Sequence, residues 1–482
     1  MIYRLFVLFC LLALGTAMWG MVPMERARNH KRWIQNKRAD GSELHEVVFA
    51  IKQRNLDLLD TILMEVSDPT NPRYGQHLTF EQVGMLTTNT QATEQIVAWL
   101  NEHHVTVVHT TKRGEYIKAR APVGTWEQLL GTEFYQYQHP KLGSVVRSEI
   151  YNLPASKEEL LSAVFNTVQF PEEVAPKIVT SSPSLRAAGT TTPDLLNSFY
   201  HITSNNGNGK GSQSLYASLD QYYSPADLAT FQNKFNLPHD EVDTVIGGHE
   251  DDGKCRNPNN CAEANLDVQY MMGVSQNVPT TYWYADTFLG WIHTVADTTN
   301  PPLVHSISYG SIEDSYPTSL ANAFNTEAKK LGVIGVTILV ASGDDGVANF
   351  GAREDESGCG YHPSFPASSP YVTAVGATQG PEDGKAEIAC QSQEGGLITT
   401  GGGFSTIFEA PAWQQSTIKG YFNGLSRNQT PVTGYATSGR GYPDVSALGR
   451  NYVVVIGGRS NVLSGTSASS PVIGGMVALV NA

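Results

Sequence analysis

Cysteine is scarce in this chain, five in 482 residues. None forms a Cys-x-x-Cys pair and no histidines cluster beside them, which argues against a zinc framework. Positive charge is also short: 32 Lys and Arg stand against 46 Asp and Glu, a formal net charge of −14. That deficit argues against nucleic-acid binding, which needs a basic face to neutralise phosphates. No segment beyond the N-terminus is apolar over the roughly 20 residues that a membrane-crossing helix needs. Internal repeats and low-complexity tracts are absent. So is any histidine in a Gly-rich pattern of the His-Gly-Thr-His kind, the usual base for a reactive serine.

What is present divides in two. Residues 1–187 carry 19 basic and 19 acidic residues, so the whole net charge falls on residues 188–482. Residues 1–17 read as a secretory signal peptide: Arg4 precedes an apolar run from Leu5 to Leu14, and small residues follow at Gly15 and Ala17. Cys10 leaves with that leader. The remaining Cys255, Cys261, Cys359 and Cys390 form an even set, as expected of a secreted chain with disulfides. Local pairing, Cys255–Cys261 and Cys359–Cys390, is preferred among the three possible connectivities. Asn428 opens a glycosylation sequon with Gln429 and Thr430.

Residues 44–170 have the pattern of a compact α+β unit. Strands are expected at 44–51, 105–109 and 116–121, with helices around 56–66 and 125–130. Residues 171–193 are rich in Pro, Ser, Thr and Ala without periodicity and read as a linker. From 194 onward, short apolar strands alternate with helical segments. Strands are expected at 214–219, 281–285, 303–308, 336–341, 371–375 and 452–456. Helices are expected at 225–235, 262–272, 287–296, 318–331 and 467–481. That alternation predicts an α/β domain, a parallel sheet with helices on both faces. Its sites should lie beyond the carboxyl ends of the strands.

Four stretches could carry chemistry there. Ser464-Gly465-Thr466-Ser467 opens the last helix, where free N–H groups and small neighbours suit a nucleophile and part of an oxyanion hole. A Ser/Gly loop that merely caps a helix is the alternative. Glu263 and Asp267, four apart on a helix, share one face, and two carboxylates held together can share a proton. Most such pairs are solvated, but Leu266, Val268, Tyr270 and Met271 make this helix largely apolar. Asp344 follows an apolar strand, either in reach of a site or in an ordinary Asp-Gly turn. Ser308, Tyr309 and Gly310 also stand at a strand end and could line a substrate cleft.

These stretches occur together with Phe365-Pro366-Ala367-Ser368-Ser369-Pro370, Gly401-Gly402-Gly403-Phe404-Ser405 and Tyr442-Pro443-Asp444-Val445. In that order they resemble the sedolisin family of serine-carboxyl peptidases, which includes tripeptidyl-peptidases. Ser67-Asp68-Pro69 and Tyr74-Gly75-Gln76-His77-Leu78-Thr79 resemble the family's prodomain. The resemblance implies a subtilisin-like fold behind a ferredoxin-like α+β prodomain. Its bounds would be a prodomain at 18–170, an activation linker at 171–193 and a peptidase domain at 194–482.

It implies Ser467 as nucleophile, Glu263 as general base, Asp267 as its partner and Asp344 as the oxyanion-hole acid. The substrates would be peptides or unfolded protein, and the prodomain would act as inhibitor and folding aid. Members of the family continue beyond the last helix with a tail that completes the domain and binds calcium. The resemblance therefore implies a chain shortened at its C-terminus, with no calcium ligand assignable up to Ala482. A secreted, lysosomal or vacuolar destination is expected.

The chemistry agrees with that reading. A carboxylate with an ordinary pKa near 4.3 stays a base in acid, where His is protonated. An oxyanion-hole Asp donates a hydrogen bond only as the neutral acid. Two alternatives stand beside it: a Ser–His–Asp endopeptidase working at neutral pH, and an inactive homologue that binds peptides. The charge split suggests a trigger as well. His30, His45, His77, His103, His104, His109 and His139 in the N-terminal part would gain charge near pH 6.5 while the acidic part loses its own.

Overall fold

The computed structural model describes residues 20–482 except 29, 177–178, 181–188, 354, 427–428 and 430. The expected leader at 1–17, the sequon residue Asn428 and part of the expected linker lie outside the described residues. The chain divides into two compact units. One holds the residues up to Ile62 together with Thr79–Glu172, the other Leu63–Leu78 together with Glu173–Ala482.

The first unit is built on alternation. Strand β1 (Leu44–Ile51) buries Val47, Phe49 and Ile51. Helices α1 (Leu56–Ser67), α2 (Phe80–Thr87) and α3 (Thr90–Glu102) follow. The last two were not legible as periodic segments, but their starts are chemical. Thr79 and Gln82 form a reciprocal capping box on α2, and Asn89 caps α3. In α3, Ala92, Ile96, Trp99 and Leu100 make one buried stripe. Then come β2 (Thr106–Thr110), β3 (Tyr116–Pro122), α4 (Val123–Leu129) and β4 (Leu161–Phe165). The sheet order is β2-β3-β1-β4, every pair antiparallel. That is the expected ferredoxin-like split β-α-β arrangement. Fully buried Trp126 of α4 packs on Phe49 and donates to the His45 carbonyl at 2.9 Å. Burial also pushes the His45 imidazole pKa down, so this histidine departs from the expected set that charges near pH 6.5.

The second unit begins with two short strands, β5 (Val174–Pro176) and β6 (Val179–Thr180). Its central sheet is then laid down by β7 (Gln213–Ala217), helices α5 (Pro225–Lys234) and α6 (Ala262–Val274), β8 (Thr280–Tyr284), α7 (Phe288–Ala296) and β9 (Val304–Ile307). After these come β10 (Tyr309–Ile312), α8 (Thr318–Val333), β11 (Thr337–Ala341) and β12 (Thr373–Gln379). The unit closes with β13 (Val445–Leu448), β14 (Tyr452–Ile456), β15 (Arg459–Ser464) and α9 (Thr466–Asn481). Parallel pairing runs β8-β7-β9-β11-β12, with β13 beside β12. The chain turns to opposite sides of β7 when it forms β8 and then β9, so a crevice opens there. Every residue of β7 and β9 is buried, the polar Gln213 and His305 included, as suits strands covered on both faces.

Helix α6 is buried along its whole length. The disulfide Cys255–Cys261 closes a loop immediately before its first residue. Helix α9 lies close against it because Gly474 and Gly475 carry no side chain. A Cβ on Gly475 would sit 3.0 Å from both the Met271 carbonyl and the Val274 Cβ.

Two expectations need correction. Cys359 and Cys390 are free thiols: Cys390 is buried against Ala377 and Ile398 with its Sγ toward the Ile398 carbonyl, whereas Cys359 is exposed. Their sulfurs therefore occupy different environments and cannot bond without moving one of them. The strand expected at 371–375 starts instead at Thr373 and runs to Gln379. Its pairing residues are those that match β11 and β13. A third segment, the helix Ala412–Gly424, had no counterpart in the sequence pattern.

The α6–α9 contact sets the first expected outcome. Gly475→Val should lower unfolding free energy by about 1–3 kcal/mol, read from urea denaturation, because overpacking here meets backbone rather than a movable side-chain tip.

Candidate active site

Four elements bring the candidate residues together. Helix α6 supplies Glu263 and Asp267, the end of β9 supplies Ser308, the loop after β11 supplies Asp344, and the first turn of α9 supplies Ser467. All five are buried, with Ser308 and Ser467 at 0% exposure and Glu263 and Asp267 at 1% and 2%.

The bonds among them are specific. Ser308 Oγ donates to Asp267 Oδ1 at 2.8 Å. Ser467 Oγ donates to the Ser308 carbonyl at 3.2 Å. Asp344 Oδ1 accepts from Thr466 N at 2.8 Å and from Thr466 Oγ1 at 3.0 Å, while Gly343 N donates to that same Oγ1 at 3.1 Å. Gly343 takes a φ of +121°, a backbone that side chains rarely adopt, and this turns Asp344 toward α9. Asp344 Oδ2 and both carboxylate oxygens of Glu263 have no hydrogen-bond partner. Glu263 is held by its backbone, whose N–H donates to Gln221 Oε1 at 3.2 Å.

Burial dominates the electrostatics. It pushes Glu263 well above the ordinary glutamate range, and the neighbouring Asp267 charge adds to this; the Ser467 hydroxyl pulls the other way. Burial likewise raises Asp267, against the hydrogen bond from Ser308. Asp344 is pushed up to about 6 by burial, opposed by its bonds from Thr466. None of the three forms an ion pair among the described residues. Uncompensated burial favours the neutral acid, so protons take the place of cations here.

Tyr309 and Gly310 take another position. The Tyr309 ring is fully buried against Tyr216, with centroids 5.5 Å apart, and does not face solvent. Its backbone, with those of Gly310 and Ser311, pairs antiparallel with Pro176, Ala175 and Val174 of β5. Strand β6 pairs in the same sense with β15, Val179 opposite Ser464. The short strands β5 and β6 thus lie along edges that adjoin Ser308 and end three residues before Ser467.

Sequence reasoning missed Thr466 and Gln221. Thr466 could have been found, since it sits in the Gly-Thr-Ser motif beside the nucleophile candidate; Gln221, in a turn after β7, leaves no pattern. No histidine bonds to Ser467 among the described residues. His305, on the central strand β9, is buried beside Trp291, and burial pushes it down to about 3, so it stays neutral in acid. Among the described residues no group of three or more acidic, His or Cys side chains could hold a metal ion, so none of them is assigned to the calcium that the family resemblance implies.

The raised carboxylates give a sign for stability. Asp344 binds its proton more tightly folded than unfolded, so its contribution is present below about 3.8 and is lost as pH rises through about 6. Thermal midpoints of the Ser467→Ala protein should therefore fall between pH 4 and pH 7. Asp344→Asn should flatten that fall by up to about 3 kcal/mol. A midpoint that rises over this range would contradict the burial account.

Relatives agree with this arrangement of parts. A family model described as Pro-kumamolisin, activation domain, matches residues 31–170, and one described as Subtilase family matches residues 270–482. Tripeptidyl-peptidase 1 of Macaca fascicularis is 33% identical over 506 aligned residues, covering 98% of this chain and 85% of its own length. That of Homo sapiens is 32% identical over 505 residues, with the same two coverages. Among solved structures, a Pseudomonas sedolisin (serine-carboxyl proteinase) complexed with two molecules of pseudo-iodotyrostatin is similar at 23% identity and a TM-score of 0.47, covering 61% of this chain and 80% of that one. An activation domain ahead of a subtilase domain makes this a serine peptidase produced as a zymogen. Matched along nearly its whole length by relatives of that kind, the chain belongs to the sedolisin family of serine-carboxyl peptidases.

Proposed function

We propose that this peptidase works in acid through Ser467, with Glu263, Asp267 and Asp344 in place of histidine machinery. The observation that carries this is the burial of three carboxylates around one serine hydroxyl, with an oxygen of Asp344 left unpartnered. Glu263 and Asp267 hold one proton between them, so one carboxylate remains basic. Glu263 takes the Oγ–H proton as Ser467 Oγ bonds to the peptide carbonyl carbon. The oxyanion accepts a hydrogen bond from the protonated Oδ2 of Asp344, whose Oδ1 is already occupied by Thr466. Glu263 then passes the proton to the leaving amine, the C–N bond breaks, and the acyl group stays on Ser467. Water repeats the sequence: it gives its proton to Glu263 and its hydroxyl to the acyl carbon, the ester C–O bond breaks, and Glu263 returns the proton to Ser467 Oγ.

Substrates are peptides and unfolded chains that add a strand to β10, as β5 does, with the residues after the reacting bond along β15. This chain's own segment 174–180 is then its first substrate, and residues 171–193 are the activation linker. The disulfide Cys255–Cys261 suits an oxidising secretory route. Among the described residues no histidine bonds to Ser467 to support a Ser–His–Asp mechanism.

Four results test this reading. Peptide hydrolysis should peak on the acid side of about pH 6, where Asp344 is protonated, and an optimum at neutral pH would overturn it. Glu263→Gln should lower kcat roughly 10²–10⁴-fold. Asp344→Ala should lower it about 10²–10³-fold. On acidification the wild-type precursor should be cut within 171–193, first between Pro176 and Val179. N-terminal sequencing reads the cut, and the Ser467→Ala precursor should stay whole.

A further inference from the structure

A second pair of polar residues stands on α6, two positions after each candidate catalytic carboxylate: Asn265 and Gln269. A step of two residues turns a helix by about 200°, so this pair projects from the face opposite to Glu263 and Asp267. Each is 1% exposed. Gln269 makes both bonds of a missing strand neighbour to one residue, Val455. Its Oε1 accepts from Val455 N at 2.9 Å, and its Nε2 donates to the Val455 carbonyl at 2.8 Å. Asn265 Nδ2 donates to that same carbonyl at 3.0 Å and to Asp227 Oδ2 at 2.9 Å, while its Oδ1 accepts from Ser224 N at 2.9 Å. Asp227, on α5, also accepts from Gly457 N at 2.9 Å and Gly458 N at 2.7 Å.

Val455 belongs to β14, Gly457 and Gly458 form the turn, and β15 leads from them to Ser464, three residues before Ser467. The strand pair that ends in the nucleophile is therefore joined, peptide by peptide, to the helix that bears the base. No oxygen of the Glu263 carboxylate makes a hydrogen bond of full geometry, although the Ser467 hydroxyl favours its charge, so the placement of α6 governs its approach to Ser467 Oγ. Misplacement by about 1 Å can cost about 10²-fold in rate.

We propose that Gln269, braced by Asn265, is a positioning residue for the acyl-transfer step: its amide fixes the register of the β14–β15 hairpin on α6, and thereby of Ser467 on Glu263. This rests on the roles given above to Ser467 and Glu263. The ionisable group bonded into the clamp is Asp227.

The test uses the full chain after acid activation and two substitutions. Gln269→Met keeps the volume and removes both bonds. Gln269→Glu, neutral when buried in acid, can still donate one O–H to the Val455 carbonyl and accept its N–H, but loses the donor once ionised. The Met variant should lose about 10–100-fold in kcat with KM within about twofold, and Ser467 should label with a fluorophosphonate more slowly by a similar factor. The Glu variant should recover most of this at pH 4 and fall toward the Met variant as pH approaches 7, with a thermal midpoint at pH 4 close to wild type. A Met variant within twofold of wild-type kcat overturns the proposal, as does a Glu variant whose pH profile parallels wild type. If the Met variant does not fold, the Glu profile alone decides. A fully active Glu263→Gln would instead overturn the reading of the site, whereas an inactive Glu263→Gln beside a wild-type-like Gln269→Met sinks only the positioning role.

Discussion

The exclusion of water from Glu263, Asp267 and Asp344 is the constraint on which the rest depends. A buried carboxylate with no cation beside it must be neutralised or hydrogen-bonded. This chain supplies hydroxyls and backbone N–H groups, from Ser308 and Thr466, and leaves the remaining charge to be cancelled by protons. The fold serves that arrangement. A helix buried on all sides carries two of the acids, and a glycine-paved contact lets the helix that bears Ser467 approach it. The sheet's reversal at β7 places the strand ends that complete the site.

Much of this was legible in the sequence because the signals were local. Alternation in Leu44–Ile51, the i, i+4 spacing of Glu263 and Asp267, and the apolar run before Ser342-Gly343-Asp344 each survive translation into structure. The parallel sheet followed from the alternation of apolar strands and helices, and the ferredoxin-like order of β2-β3-β1-β4 agrees with the family resemblance. Helix α6 was the informative ambiguity. Its acidic pair would be solvated on most helices, and only its apolar neighbours hinted that here it is not.

What stayed hidden was hidden for physical reasons. Helices α2 and α3 are set by capping side chains such as Thr79 and Asn89, which look like ordinary polar residues until a helix follows them. The Cys359–Cys390 pairing failed because separation along the chain says little about whether two sulfurs share an environment. Gln221, Asn265 and Gln269 act through contacts far away in sequence, Gln269 with Val455 across 186 residues. No window of the sequence contains both partners of such a bond.

Protons that stand in for cations also give the molecule a limited reach. Thr466 ties Asp344 to the first turn of α9, so the group that loses its proton on leaving acid also bonds to the backbone beside the nucleophile. In the proposed mechanism ionisation there removes the oxyanion donor, and it leaves a buried charge that the bonds from Thr466 favour but burial opposes. On that mechanism a molecule that escapes into neutral surroundings loses activity and stability together, because both depend on protons held by the same buried carboxylates.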